Sequence, residues 1–236
     1  MPEKTFDEIR RGECEYLRTE LPSRLRAITE LLLRGEFPSE SAWCGTLILK
    51  LMQSVEHVGR DLLAATESPE ALAAVAWNAR NMVELRIWVR YCGSSEQNAR
   101  RFYEDALRDM KGLVLSLSKM NKYIGRAYEQ EQAAHEMIDQ LAKTTLGLES
   151  IGAEFESVAN AAKAVGLSEW YLPVNKYLSK LAHPTALLVI GIKHQTERLR
   201  DMQSGCLAHG SFAARQCECD LEQIVRALIA GSVREC

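Results

Sequence analysis

Residues that break helices are scarce in this sequence. Of its 236 residues, 14 are glycine and 6 are proline, and aromatic residues make up only 7%. No stretch alternates apolar and polar residues as a half-buried strand does. This composition excludes collagen-like and disordered chains. Apolar residues recur instead at helical spacing, so we predict an all-α fold, a single domain over 1–236 built as a bundle of six to eight helices.

Charge of one sign and long apolar runs are also missing. Lysine and arginine total 29 against 32 aspartate and glutamate, whereas general nucleic-acid binders usually carry a basic excess. The longest apolar run, ALLVIGI at 186–192, falls short of the roughly 20 residues of a membrane-spanning helix. The N-terminus carries charge where a signal peptide needs an apolar core. We therefore expect a cytoplasmic protein with no membrane partner.

Proline and glycine divide the helical pattern. We expect a kink or break at Pro22, a helix cap at Ser39 or Ser41, and a short helix that ends at His183 because Pro184 follows it. We expect the N-terminal helix within 1–36 to be semi-independent, 204–211 to form a loop and 204–236 to hold the C-terminal helix. The predicted helices cover 5–34, 40–65, 70–91, 96–120 (with an alternative end at 142), 143–166, 173–183, 185–202 and 212–230.

The third predicted helix carries a polar and aromatic stripe on an otherwise apolar surface. Trp77, Arg80, Glu84, Trp88 and Tyr91 fall within an arc of roughly 80° on a helical wheel. Arg80 and Glu84 are four residues apart and can therefore pair. Two interpretations stay open: a pocket that holds a polar ligand between aromatic walls, or a structural ion pair that fixes helix register, which is the commoner role of such pairs.

Two further arginines of this helix lie on a different face. Arg86 and Arg90 are predicted to form a basic edge with Arg100 and Arg101. Because the net charge gives no support for nucleic acid, we interpret this edge as a solvated face.

The stretch NKYLSKLAHPT at 175–185 is the most distinctive in the chain. Tyr177, either Ser179 or Lys180, and His183 can share one side of a short helix. His183 lies at the C-terminal end, where the helix dipole favours the imidazolium form, and histidine titrates near neutrality, so it is a candidate acid or base. The alternative is a histidine that caps its own helix and bonds to the carboxylate of Glu84.

These two segments carry a resemblance to known proteins. The Arg-x3-Glu helix at Arg80 and Glu84, followed by Tyr-x-x-Ser/Lys-x-x-His-Pro ending at Pro184, resembles an uncharacterised family of bacterial all-helical proteins. That family is similar in turn to the HEPN superfamily, whose members include RNA-cleaving toxins and helical partner proteins. The resemblance covers about 43–202. It implies a homodimer in which two motifs face one cleft.

The resemblance also implies where a ribonuclease site would lie. HEPN ribonucleases share an Arg-x4-6-His motif on a late helix, and His183 matches its histidine. Lys176 or Asn175 holds the upstream place instead of arginine, and a lysine provides only a point charge rather than a forked phosphate contact. RNA cleavage would therefore need a guanidinium from another helix, such as that of Arg80.

The sequence gives little support for a metal or cofactor site. Cys206, His209, Cys217 and Cys219 suggest a zinc site, but their spacing is poor, because C-x-C on a helix points its two thiols to different sides. Loops of the Walker, Gly-x-Gly-x-x-Gly and Gly-x-Ser-x-Gly kinds are absent. We predict no metal and no cofactor.

Three functions remain open at this point. The first is a dimeric HEPN-like binding or interaction protein with an unidentified small-molecule ligand or RNA; the second is a metal-independent ribonuclease; the third is a purely structural bundle. The candidate catalytic residues are Arg80, Glu84 and His183, and the candidate ligand-binding residues are Trp88, Tyr91, Lys176, Tyr177 and Ser179.

Overall fold

The computed structural model describes residues 5–35, 42–68, 70–152, 155–183 and 196–231. Because α1, a π-helical turn and α2 follow one another without a break, the helices form eight continuous segments, and the described residues contain no strand. The predicted all-α bundle of six to eight helices is confirmed. The elements are α1 (Phe6–Glu15), the π-helical turn (Tyr16–Glu20), α2 (Leu21–Arg34), α3 (Ala42–Ala65), α4 (Leu72–Ser94), α5 (Glu96–Tyr123), α6 (Glu131–Leu146), α7 (Val158–Ala164), α8 (Ser168–Ala182) and α9 (Thr196–Ile229).

Helix α4 is the central helix of the fold. It packs against α3, α5, α7, α8 and α9. A helix that is apolar on most sides is typical of such a buried position. The fully buried residues on α4 include Val75, Ala76, Ala79, Met82, Val83 and Ile87.

The N-terminal helical segment stays continuous at Pro22 because a π-helical turn precedes the proline. The π-helical turn directly precedes Pro22, which lies in the first turn of α2. Proline clashes with the carbonyl one turn back in a regular α-helix, and a wider π turn is a common way to absorb such a defect. Leu17, Leu21 and Ile28 from this segment are buried in the main core.

Helix α8 ends where the sequence predicts but begins earlier. Its last residue is Ala182 and His183 is the C-cap, which confirms the predicted end. The predicted start at 173 is wrong, because α8 begins at Ser168 and Pro173 lies inside it. Tyr171 and Val174, on either side of Pro173, are both buried, so core packing on both sides holds the helix together across the missing N–H.

The predicted loop at 204–211 is also wrong, because these residues lie within α9. Within this segment, Gly210 allows two helices to pack closely and does not form a turn. A Cβ atom at Gly210 would lie 3.1 Å from Cα of Ala79 and 2.6 Å from Cδ2 of Leu62. Helices α4 and α9 therefore approach closely at this point because Gly210 has no side chain.

The middle of the chain contains two turns whose positions differ from those predicted. Helix α5 stops at Tyr123, before Gly125 with φ +73°, so the alternative end at 142 is wrong. The predicted helix over 143–166 is also wrong: 143–145 belong to α6, which ends at Leu146 with Gly147 in the left-handed region as its C-cap. Among the described residues from 147 to 166, only Val158–Ala164 is α-helical. Both turns use a glycine with positive φ, which glycine adopts without the usual steric cost.

Some predictions lie outside the described residues. These are the caps at Ser39 and Ser41, the stop at Pro184 and the apolar run at 186–192. Among the helices that are described, none combines the length and the apolar character needed to cross a lipid bilayer.

Candidate functional site

The candidate site lies where α8 packs on the N-terminal half of α4. Arg80 and Glu84 form the predicted ion pair, with 2.8 Å between the guanidinium nitrogen and the carboxylate oxygen. Their side chains are only 24% and 22% exposed. The pair is therefore more shielded from water than most surface pairs, and each charge needs its partner.

Asn175 connects this ion pair to α8. Nε of Arg80 donates a hydrogen bond of 3.0 Å to Oδ1 of Asn175, and the Ser179 hydroxyl donates to the same oxygen across 3.4 Å. The guanidinium is thus held on two sides by acceptors on different helices. Asn175 and Ser179 are four residues apart on α8, which places them on one face.

Trp77 lies between Arg80 and His183. Its ring centroid is 5.7 Å from that of His183, in an edge-to-face arrangement, and 5.8 Å from Cζ of Arg80. Trp77 is 44% exposed, and His183 is exposed as well. The ring contact of His183 is therefore with this indole rather than with Glu84, while its backbone N–H donates weakly to the carbonyl of Ser179 at 3.4 Å.

Tyr177 turns away from this surface toward α9. Its hydroxyl is hydrogen-bonded to the thiol of Cys206, and its ring is 6.0 Å from that of His209. Burial, assisted by Cys206, raises the pKa of Tyr177 to about 12. Lys176 is exposed on α8. Of the predicted α8 residues, Ser179 and His183 thus lie beside the α4 pair, whereas Tyr177 contacts a different helix.

Trp88 and Tyr91 belong to a separate cluster at the other end of α4. The Tyr91 hydroxyl donates to the buried carboxylate of Glu156 at 3.1 Å, and Trp88 packs on Phe102 with 4.8 Å between ring centroids. A helical wheel reports only the angle around the axis. Tyr91 is eleven positions after Arg80, which places it about 16 Å further along the axis and away from the site around Arg80.

The predicted solvated basic edge is wrong for Arg86, whereas Arg90 is exposed as predicted. Arg86 is buried between Trp170 and Phe212, with Cζ 4.2 Å and 5.2 Å from their ring centroids. Burial lowers the pKa of Arg86. Arg90 forms an ion pair of 2.7 Å with the buried Asp220. Arg86 is therefore part of the packing between α4 and its neighbours, whereas the half-exposed Arg90 pairs with Asp220 from the surface.

The other two arginines of that edge are also engaged. Arg100 donates to the carbonyl of Leu146, and Nε of Arg101 lies 3.3 Å from the carboxylate of Glu156. Both side chains are partly exposed, but Arg100 binds the C-terminal end of α6 and Arg101 binds the segment that precedes α7.

The cysteine and histidine residues of α9 are dispersed around the helix. Cys206 and Cys217 are buried, whereas Cys219 is exposed. Burial raises the pKa of Cys206 to about 12 and lowers the pKa of His209. Within the ranges that the structure describes, no three histidine, cysteine or acidic side chains are grouped to hold a metal ion.

Two residues of this site, Asn175 and Tyr171, were not predicted from the sequence. Asn175 was considered only as a replacement for a motif arginine, although its i, i+4 relation to Ser179 placed both on one face. Tyr171 is buried on α8; burial raises its pKa, and the nearby Glu84 carboxylate adds to that rise. No local pattern distinguishes Tyr171 from an ordinary core aromatic.

Comparison with known proteins identifies the family of the chain. Residues 71–195 match the model of a family of unknown function, DUF5677. The chain belongs to this family. The matched region begins beside α4 and includes α8, so both helices of the candidate site lie within the DUF5677 region. No curated protein and no solved structure matches the chain.

Proposed function

We propose that this DUF5677 chain is a cytoplasmic, HEPN-like binding protein that holds single-stranded RNA on the surface around Trp77. The proposal rests above all on the position of that indole, which is 44% exposed with a guanidinium and an imidazole beside its ring. Half-exposed aromatic rings are the platforms on which unpaired bases stack. Nearby donors then contact the adjoining phosphate.

The geometry around Arg80 supports a preorganised site. Glu84 and Asn175 hold the guanidinium from two sides, so little side-chain entropy is lost when a ligand binds. A purely structural bundle accounts for the ion pair. It gives no role to a half-exposed Trp77 beside an exposed His183.

Fluorescence anisotropy with a labelled single-stranded RNA of mixed sequence tests this function. We expect the unmodified protein to bind and Trp77→Ala to weaken binding by about 5- to 150-fold, since stacking contributes roughly 1–3 kcal/mol per base. The control is His57→Ala, which removes an exposed histidine on α3. Absence of binding by the unmodified protein, or equal binding by Trp77→Ala, would reject the proposal.

One contact favours a second function, metal-independent RNA cleavage. The guanidinium of Arg80 reaches Asn175, a position where the HEPN resemblance expects the motif arginine. Arg80 would contact the scissile phosphate and His183 would act as acid or base. Incubation of mixed RNA with protein and a chelator should then give cleavage that His183→Ala abolishes and His57→Ala retains. Equal cleavage by both variants would exclude this role for His183.

A further inference from the structure

The hairpin of α5 and α6 carries an apolar stripe that no described helix covers. Met110, Leu113, Leu117, Met120 and Ile124 are all exposed. They are spaced alternately three and four residues apart and fall within an arc of about 80°. We call these five residues the α5 stripe. Such spacing is typical of a helix surface that packs along another helix.

The stripe lies on one side of the hairpin. On the opposite side, Lys111 pairs with Asp139 and the Ser118 hydroxyl donates to Glu131, which also shows that α5 and α6 run antiparallel. With this orientation, a helical wheel places the exposed Met137 of α6 on the same side as the α5 stripe. The α5 stripe and Met137 therefore form one continuous apolar side of the hairpin, away from these polar pairs.

Helix α5 has the broad apolar face of a helix with two neighbours. Leu107 and Val114 are buried against Ile138 and Ala142 of α6, and the α5 stripe continues that face beyond the reach of α6. An apolar arc of this width is typical of helices in a four-helix bundle. Helix α6 packs on α5 and has at most slight contact with any other described helix. Where α5 and α6 pack on each other, the described residues therefore supply only two of the four helices of such a bundle.

We propose that a second copy of this chain covers the α5 stripe, so that two hairpins form an antiparallel four-helix bundle about a two-fold axis. The stripe contains no charged residue, and Gln130, which caps α6, and the neighbouring α6 positions Ala133, Met137 and Gln140 are uncharged too. A charged partner would bury its charges unpaired on this surface. A second stripe is uncharged and apolar, and a two-fold axis pairs identical surfaces.

The exposed area is sufficient for such a dimer. The five stripe residues and Met137 are between 37% and 65% exposed. At roughly 200 Å² for a large side chain, they leave on the order of 600 Å² per copy. Two copies then bury on the order of 1,200 Å², which reaches the range of specific, stable interfaces.

This inference is independent of RNA binding, since the interface contains none of the candidate-site residues. Analytical ultracentrifugation from low to high micromolar concentration tests it. The chain has a mass of 26.5 kDa, and we expect twice that mass for the unmodified protein. Leu117→Glu should raise the dimer dissociation constant at least about tenfold, because it places a charge at the centre of the interface.

Leu115→Glu is the matched control. Leu115 is 47% exposed and Leu117 is 45% exposed, yet the two side chains lie on opposite sides of α5. Leu115→Glu should remain dimeric, and far-UV circular dichroism should show both variants as helical as the unmodified protein. Met137→Glu provides a second variant on α6 and should also dissociate the dimer. A monomeric unmodified protein, a dimeric Leu117→Glu, or equal dissociation by Leu115→Glu would overturn the proposal.

Discussion

Nε of Arg80 donates to Oδ1 of Asn175 across 3.0 Å, and this bond joins α4 to α8. Because Arg80 also pairs with Glu84 on its own helix, it is fixed between two acceptors. The bond thus orients the guanidinium beside Trp77. It also adds to the adhesion of α8, whose buried Leu178 and Leu181 supply the apolar contacts.

We expect Asn175→Ala to lower the free energy of unfolding by about 1–2 kcal/mol, because it removes the acceptor of a charge-assisted hydrogen bond at a partly buried site. Urea unfolding measures this loss. Lys176→Ala, at the exposed neighbouring position, should change stability by less than about 0.5 kcal/mol. A double-mutant cycle with Arg80→Ala should show a coupling of about 1 kcal/mol; additive losses would show that the bond contributes nothing.

The all-α class was predictable because helical periodicity is a local property of the sequence. The end of α8 was predictable for the same reason, since Pro184 restricts the residue before it. The continuity of α9 through 204–211 was not, because Gly205 and Gly210 resemble a turn until the approach of α4 is known. Glycines in tight helix packing and glycines in loops have the same local signature.

The candidate site likewise contains contacts that the sequence predicts and contacts that depend on the tertiary structure. The pairing of Arg80 with Glu84 follows from their spacing on one helix. The contacts of Trp77 with His183 and of Arg80 with Asn175 depend on which faces of α4 and α8 meet. The burial of Arg86 between Trp170 and Phe212 is also a tertiary fact, which a charge pattern alone assigns to solvent.

Two glycines within helices should respond oppositely to alanine. Gly210→Ala should destabilise the fold by about 2 kcal/mol, because its Cβ would meet the backbone of Ala79 at 3.1 Å and overpacking of this kind costs 1–3 kcal/mol. Gly112→Ala on α5 meets nothing within 4 Å and should stabilise by about 0.5–1 kcal/mol. Thermal unfolding of both variants gives the comparison. A Gly210→Ala variant as stable as the unmodified protein would contradict the close approach of α9 to α4.

Arg86 is expected to contribute mainly through its stem and its aromatic contacts. Its Nε atom is buried without a hydrogen-bond partner, and Gln216 accepts from its terminal nitrogen only at 3.5 Å. Arg86→Met keeps a long side chain between Trp170 and Phe212 and should therefore cost less than about 1 kcal/mol. Arg86→Ala leaves a cavity and should cost about 2–4 kcal/mol. Equal losses in urea unfolding would assign the stabilisation to the charge instead.

His209 should make the fold less stable in mild acid. Burial lowers its pKa from the ordinary 6.5, so the unfolded chain binds a proton more readily than the folded one. Stability contributed by the neutral imidazole is therefore present above pH 6.5 and decreases as the pH falls below it. Urea unfolding at pH 7.5 and at pH 5.5 should show a smaller loss for His209→Gln than for the unmodified protein. His57→Gln, which replaces an exposed imidazole on α3, should not reduce the loss in this way; if it does so as much as His209→Gln, the acid sensitivity does not arise from burial of His209.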